Sequence, residues 1–197
     1  MPTRSLTFTG GAGTPLSGRI ELPEGQPRAW AVFAHCLTCG KNNLAAVRVA
    51  RALAAQGIGV LRFDFAGVGE SEGDFAATSF ATNVDDLIAA AASMAASGMA
   101  PSLLIGHSFG GAAVLAAAGR LPEVKAVATI AAPFDVAHVL HQFAPASLEA
   151  IARDGMARVP LAGRDNASAG FWLGVSSLVV YGIVVVYAII AAIVAAD

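Results

Sequence analysis

Cysteine and charge are both scarce in this 197-residue chain. Its two cysteines, Cys36 and Cys39, are too few and too close together for the disulfide framework of a small secreted domain. Charged residues make up 13% of the chain, and the formal net charge is −2. Because nucleic-acid binding depends on an excess of basic side chains, we expect no nucleic-acid partner.

The N-terminus lacks the apolar stretch of a secretory signal. The sequence MPTRSLTFTGG has one arginine and no hydrophobic segment behind it. We therefore expect no signal peptide, and a cytoplasmic location for residues 1–165.

Charge is absent altogether from residues 171–196, a run of 26 residues that Asp197 follows. A helix of that length reaches about 39 Å at ~1.5 Å per residue, more than the ~30 Å hydrocarbon core of a bilayer. Phe171 and Trp172 suit an interfacial anchor, and arginines precede the run while no basic residue follows it. The run predicts one transmembrane helix, a single-pass protein with its N-terminal domain cytoplasmic, and lipid and membrane proteins as partners.

A second interpretation of this run is two buried strands. The segments SLVVYG and IVVVYAII are rich in β-branched residues and would complete a sheet. We favour the transmembrane helix, because no charged residue interrupts the run and Gly182 is the only glycine or proline in these two segments.

Apolar strands alternate with helical patterns over the first two thirds of the chain. A hairpin is predicted from Leu6 to Leu22. Further strands are predicted at 29–34, 58–63, 102–105 and 124–130, and helices at 44–56, 82–97 and 108–120. This order predicts an α/β fold, with a mostly parallel sheet and helices on both faces.

The sequence GHSFGG, residues 106–111, fits G-x-S-x-G between a predicted strand and a predicted helix. In a nucleophile elbow, the glycines leave room for a sharp turn that lifts the Ser108 hydroxyl out of the sheet. The alternative is a strand–turn–helix that contains a serine by chance.

Three motifs in order resemble the α/β-hydrolase family: His35-Cys36 at the end of a strand, the D-x-x-G-x-G-x-S loop of residues 64–71, and the elbow. The form HCLTCGKN looks most like the hydrolase half of bifunctional proteins that also carry an OsmC-like domain. The resemblance covers about residues 5–165, outside the hydrophobic run, and implies a serine esterase or related acyl hydrolase that acts on a small substrate.

The resemblance also implies roles for individual residues. Ser108 would be the nucleophile, and the backbone N–H groups of Phe109 and of Cys36 or Leu37 would form the oxyanion hole. His35 would brace its loop rather than act as a base.

The family's base and acid are harder to place. The only histidines after Ser108 are His138 and His141, just past the strand at 124–130, whereas the family's base follows the last strand. Asp135 stands where some family members put their acid, but it also suits a helix N-cap. We take Asp135 and His138 as the candidates and expect weak activity or none. The alternative is a non-catalytic, single-span subunit or anchor of a membrane assembly.

Cys36 and Cys39 form a C-x-x-C pair with three interpretations: a redox dithiol, half of a metal site, or two packed thiols. We favour packed thiols and expect no metal and no cofactor. The predicted organisation is a truncated α/β-hydrolase-like domain at 1–165 that lacks the last strands, followed by a linker and one transmembrane helix at 166–197.

Overall fold

The computed structural model describes residues 2–37 and 39–133. They belong to the first of two units into which the chain divides, Met1–Val139. The predicted boundary at residue 165, the missing last strands and the predicted membrane helix at 171–196 lie outside the described residues and stay predictions. Within the described residues, no helix combines the length and apolar character needed to cross a bilayer.

The described part of the chain forms six strands and three α-helices in the order that the sequence predicts. They are β1 (Thr3–Thr9), β2 (Pro15–Glu21), β3 (Ala29–Ala34), α1 (Leu44–Ala55), β4 (Ile58–Phe63), α2 (Phe80–Ala96), β5 (Leu103–His107), α3 (Phe109–Ala118) and β6 (Ala126–Ile130). A short 3-10 helix at Phe75–Ala77 precedes α2 and was not predicted.

The strands form one sheet in the order β1-β2-β4-β3-β5-β6. β4, β3, β5 and β6 are parallel neighbours, and the hairpin of β1 and β2 joins β4 in antiparallel register. The predicted α/β fold with a mostly parallel sheet is confirmed. The carboxyl ends of the four parallel strands meet at one edge, where Ser108 follows β5.

Helices cover both faces of this sheet. Alternate residues of a strand point to opposite faces. Val32 and Leu61 pack in the same apolar cluster as residues of α2 and α3. The other face meets α1, where Arg51 lies 3.9 Å from the Glu21 carboxylate. Burial of a large side chain such as Leu87, on α2, contributes about 1.5–3 kcal/mol to folding.

The start of α2 differs from the prediction by two residues. Ser79 is the N-cap, and the Ser79 and Thr82 side chains each bond the other's backbone N–H in a capping box. Because the box includes the first turn, the helix begins at Phe80 rather than at residue 82.

Candidate active site

Ser108 sits in a sharp turn between β5 and α3. Its backbone has φ 53° and ψ −119°, in the positive-φ region that non-glycine residues rarely adopt. The Ser108 N–H donates to the Ile130 carbonyl, at the end of β6, over 2.8 Å. The Ser108 side chain makes no capping bond to α3. The turn is therefore fixed through the backbone, and the hydroxyl is not used for capping.

Two glycines make this turn possible. A Cβ on Gly106 would collide with the carbonyl group of Gly110, and a Cβ on Gly110 would collide with the carbonyl oxygen of Ala34. These neighbours are backbone atoms of the sheet and the helix, which cannot move aside as a flexible side chain can. The nucleophile-elbow geometry predicted from GHSFGG is confirmed.

Three backbone N–H groups at this edge suit an oxyanion hole. Phe109 is the first residue of α3, so its N–H has no acceptor within the helix. Cys36 and Leu37 follow the end of β3, against which Gly110 packs. Within the described part of the chain, none of the three donates a hydrogen bond to another group. The oxyanion assignment of Cys36, Leu37 and Phe109 stays a prediction that this placement supports.

His35 holds the loop after β3. Its Nδ1 bonds the Cys36 carbonyl at 2.7 Å, and its Nε2 lies 3.4 Å from the Phe65 N–H, so Nδ1 donates and Nε2 accepts. Burial lowers the pKa of His35, against the smaller opposing effect of the bond to Cys36, and this favours the neutral ring that these bonds require. The predicted bracing role is confirmed.

The D-x-x-G-x-G-x-S motif forms a clamp around Asp64. The buried Asp64 carboxylate accepts from the Lys41 N–H and from Lys41 Nζ, both at 2.5 Å, and from the Glu70 N–H at 3.0 Å. Burial alone would raise the pKa of Asp64, but the bonds from Glu70 and Lys41 hold that pKa below its usual range. The Ser71 hydroxyl donates to the Asp64 carbonyl at 2.6 Å. The motif therefore ties the loop after β4 to the loop that carries Cys36 and Leu37.

Sequence reasoning missed the buried charges behind this clamp. Arg62 lies in β4, and its guanidinium bonds the Glu21 carboxylate at 2.6 Å and also bonds the Lys41 carbonyl. Arg62, Glu21 and Lys41 are all buried. The available signal was Arg62 itself, a cation inside the apolar strand IGVLRF.

Cys36 and Cys39 form a disulfide, with their Cα atoms 5.2 Å apart. The interpretation as two packed thiols is wrong, because the C-x-x-C loop brings the sulfurs within bonding distance. Within the described residues, no group of three or more His, Cys, Asp and Glu side chains is arranged to hold a metal ion.

The predicted acid and base, Asp135 and His138, lie outside the described residues, as does His141. Of the remaining histidines, His35 is occupied by its loop. His107 is half-buried at the end of β5, and desolvation lowers its pKa.

Comparisons with known proteins agree with this fold. The family model for serine aminopeptidase, S33, matches residues 25–168. The esterase domain of a Rhodothermus marinus protein is 51% identical, with a TM-score of 0.60, over 74% of this chain and 56% of that one. A lidless α/β serine hydrolase from Xanthomonas campestris is 34% identical, with a TM-score of 0.59, over 68% and 63%.

A more distant α/β hydrolase from Penicillium, GrgF, shares the fold at 18% identity, with a TM-score of 0.66 over 90% of this chain and 67% of that one. No curated protein matches the chain. The chain spans less than two thirds of the length of the Rhodothermus and Xanthomonas structures. The matched residues contain the elbow, the clamp and the four parallel strands. The chain therefore belongs to the serine aminopeptidase S33 family of α/β-hydrolases.

Proposed function

We propose that this chain carries serine esterase chemistry, with Ser108 as the nucleophile toward a small acyl ester. The observation that carries the proposal is the backbone of Ser108, which is held at φ 53° between β5 and α3. A residue persists in such a conformation only where its surroundings enforce it, and such positions cluster at active sites. The 51% identity to an esterase domain supports an ester as the substrate.

The reaction begins when Ser108 Oγ attacks the carbonyl carbon of the ester. The carbonyl oxygen becomes an oxyanion, which the N–H of Phe109 and that of Cys36 or Leu37 stabilise. Each such donor contributes roughly 3–4 kcal/mol to transition-state stabilisation. The N-terminus of α3 adds a favourable partial positive charge at the same place.

We assign the base to His138 and the acid to Asp135. Ile130 bonds the Ser108 N–H, so the chain leaves β6 beside the nucleophile. Asp135 is five positions after Ile130, a reach of at most about 18 Å, so Asp135 can approach the site. The sequence predicts no further strand between β6 and His138, whereas the family's base follows the last strand. We therefore expect slow acyl transfer, since a serine hydroxyl without a well-placed base is a weak nucleophile.

A fluorophosphonate probe tests the assignment, because it reacts with activated serines. We expect labelling at Ser108, slower than in a reference esterase with a complete triad, and abolished in Ser108→Ala. Ser97→Ala removes an exposed serine at the C-cap of α2 and is the matched control, with unchanged labelling. Absence of labelling in the wild-type chain would contradict the esterase proposal. Labelling as fast as the reference would contradict the weak-base assignment, and His138→Ala and His141→Ala would then identify the base.

A second proposal concerns residues 171–196, whose 26 uncharged residues support a single membrane span that tethers the domain on the cytoplasmic side. The alternative to a tethered esterase is that the chain has no catalytic activity and serves as a subunit or anchor of a membrane assembly. Partition of the full chain between membrane and soluble fractions measures the tether. Labelling of Ser108 by the fluorophosphonate probe indicates the esterase, and absence of labelling indicates the non-catalytic subunit or anchor.

A further inference from the structure

The loop from His35 to Lys41 is fixed at both ends and cross-linked in between. At its start, His35 Nδ1 donates to the Cys36 carbonyl at 2.7 Å. At its end, the buried Lys41 bonds Asp64 through both its backbone and its side chain. Between these points, the disulfide joins Cys36 to Cys39. The cross-link therefore joins Cys36, whose carbonyl His35 holds, to Cys39, two residues before Lys41.

This cross-link does little for the stability of the whole fold. A disulfide stabilises mainly by restricting the unfolded chain, and the effect grows with the size of the closed loop. Cys36 and Cys39 are three residues apart in sequence, so the unfolded chain loses little freedom. The bond instead fixes local geometry. The Cys36 carbonyl also accepts from the Cys39 N–H at 3.1 Å, and the Cys39 sulfur lies 3.5 Å from Asn43 Nδ2, which belongs to the N-cap of α1.

Both cysteines are partly exposed to solvent. Each is half-buried, whereas the neighbouring His35 and Lys41 are buried. Thiol–disulfide exchange requires a thiolate to reach one of the two sulfurs, and partial exposure permits that approach. Cys36 is also a candidate oxyanion donor through its backbone N–H, so the redox bond and the catalytic group belong to the same residue.

We propose that Cys36–Cys39 is a reversible redox site that sets the activity of Ser108, with dithiols as the class of reductant. This inference rests on the proposed esterase function. One thiolate of the dithiol attacks a sulfur of the pair, breaks the Cys36–Cys39 bond and forms a mixed disulfide. Its second thiol then displaces the protein sulfur and closes a cyclic disulfide. The dithiol is oxidised by two electrons, and Cys36 and Cys39 take up those electrons and two protons as free thiols.

Reduction displaces the oxyanion donors. Two unbonded sulfurs cannot remain at the bonded separation of about 2.05 Å, so Cys36 and Cys39 move apart. Cys36 carries one candidate donor N–H and Leu37 carries the next, so we expect any backbone shift at Cys36 to displace both groups. Loss of one oxyanion donor lowers kcat by about 10²–10³ in a serine hydrolase, and a partial displacement lowers it by about tenfold.

The experiment compares the full chain before and after treatment with dithiothreitol. Iodoacetamide trapping and mass spectrometry count the thiols, and hydrolysis of p-nitrophenyl acetate measures kcat. We expect two new thiols, a fall in kcat of about tenfold and recovery on reoxidation. The double variant Cys36→Ala, Cys39→Ala should have the kcat of the reduced protein, and dithiothreitol should not change that kcat. No new thiols, or an unchanged kcat with two new thiols, would overturn the proposal.

A second readout separates this proposal from the esterase proposal. Hydrogen exchange of the peptide that contains residues 36–43 should become faster on reduction, while a peptide from β1 should not change. If ester hydrolysis is undetectable in both redox states, the esterase function fails. The redox site then stands only if two thiols appear and the loop peptide exchanges faster. Equal exchange in the two states would overturn it.

Discussion

At the scale of the residue, the clamp of Asp64 and Lys41 is the feature on which the candidate site depends most. Asp64 is 2% exposed and Lys41 is 1% exposed, so each charge is removed from water and is neutralised by the other. Glu70 adds a second carboxylate 2.9 Å from Lys41 Nζ, but that side chain is 61% exposed and its pairing is screened. The buried pair therefore accounts for most of the link between the two loops.

We predict that Asp64→Asn lowers the free energy of unfolding by about 3–5 kcal/mol at pH 7, because it leaves the Lys41 ammonium buried without its main partner. The folded-state pKa of Asp64 is depressed, so its contribution is complete above the unfolded value of about 3.9 and is lost as pH falls through the folded value. The difference between wild type and variant should therefore shrink below about pH 4. Urea unfolding at several pH values measures it.

Asp74→Asn is the matched control for this change. Asp74 is exposed and accepts only from the Ala76 N–H at 2.9 Å, as the N-cap of the 3-10 helix, and asparagine caps equally well. We expect a change within about 0.5 kcal/mol for this surface substitution. An equal effect of the two substitutions would show that the buried pair is not what stabilises the loops.

At the scale of the element, α3 presses its first turn against the sheet. We predict that Gly110→Ala lowers the free energy of unfolding by about 2–3 kcal/mol, since the added methyl group meets the carbonyls of Ala34 and His35. Gly119→Ala is the control at the other end of α3. Gly119 has φ −66° and no atom within 4 Å of an added Cβ, so that change should be neutral or stabilise by about 0.4–1 kcal/mol. Thermal unfolding of both variants measures the contrast. A larger loss for Gly119→Ala would refute the packing argument.

The elements themselves were predictable because their signals are local. AWAVFA is apolar throughout and IGVLRF is apolar except for Arg62, as expected of strands buried on both faces, and the bounds of these runs match β3 and β4. The order of the four strands and the helices between them sufficed to predict the parallel sheet. The glycines around Ser108 sufficed to predict the sharp turn of the elbow. The disulfide and the clamp were not predictable, because they depend on which loops meet at the sheet edge. Lys41 reads as an ordinary surface lysine until the structure places it on Asp64.

At the scale of the whole molecule, the described residues contain one half of the proposed esterase site. The sheet places Ser108, the candidate oxyanion donors and the clamp at the carboxyl edge of β3, β4 and β5. The predicted acid and base belong to residues beyond β6, where the sequence carries no strand signal until the uncharged run. That run is compatible with either a membrane helix or buried strands, because both require apolar side chains on every face.

Membrane fractionation of the full chain distinguishes a membrane helix from buried strands at residues 171–196. If the run spans a membrane, the full chain should sediment with membranes and resist extraction by alkaline carbonate. Deletion of 171–196 should then move the domain to the soluble fraction. The double variant Val184→Lys, Val185→Lys places two charges at the centre of the run, each of which costs about 2.5–3.5 kcal/mol for membrane insertion, so it should also abolish sedimentation. If the run instead completes the sheet, the full chain should remain soluble, and both changes should lower its melting temperature.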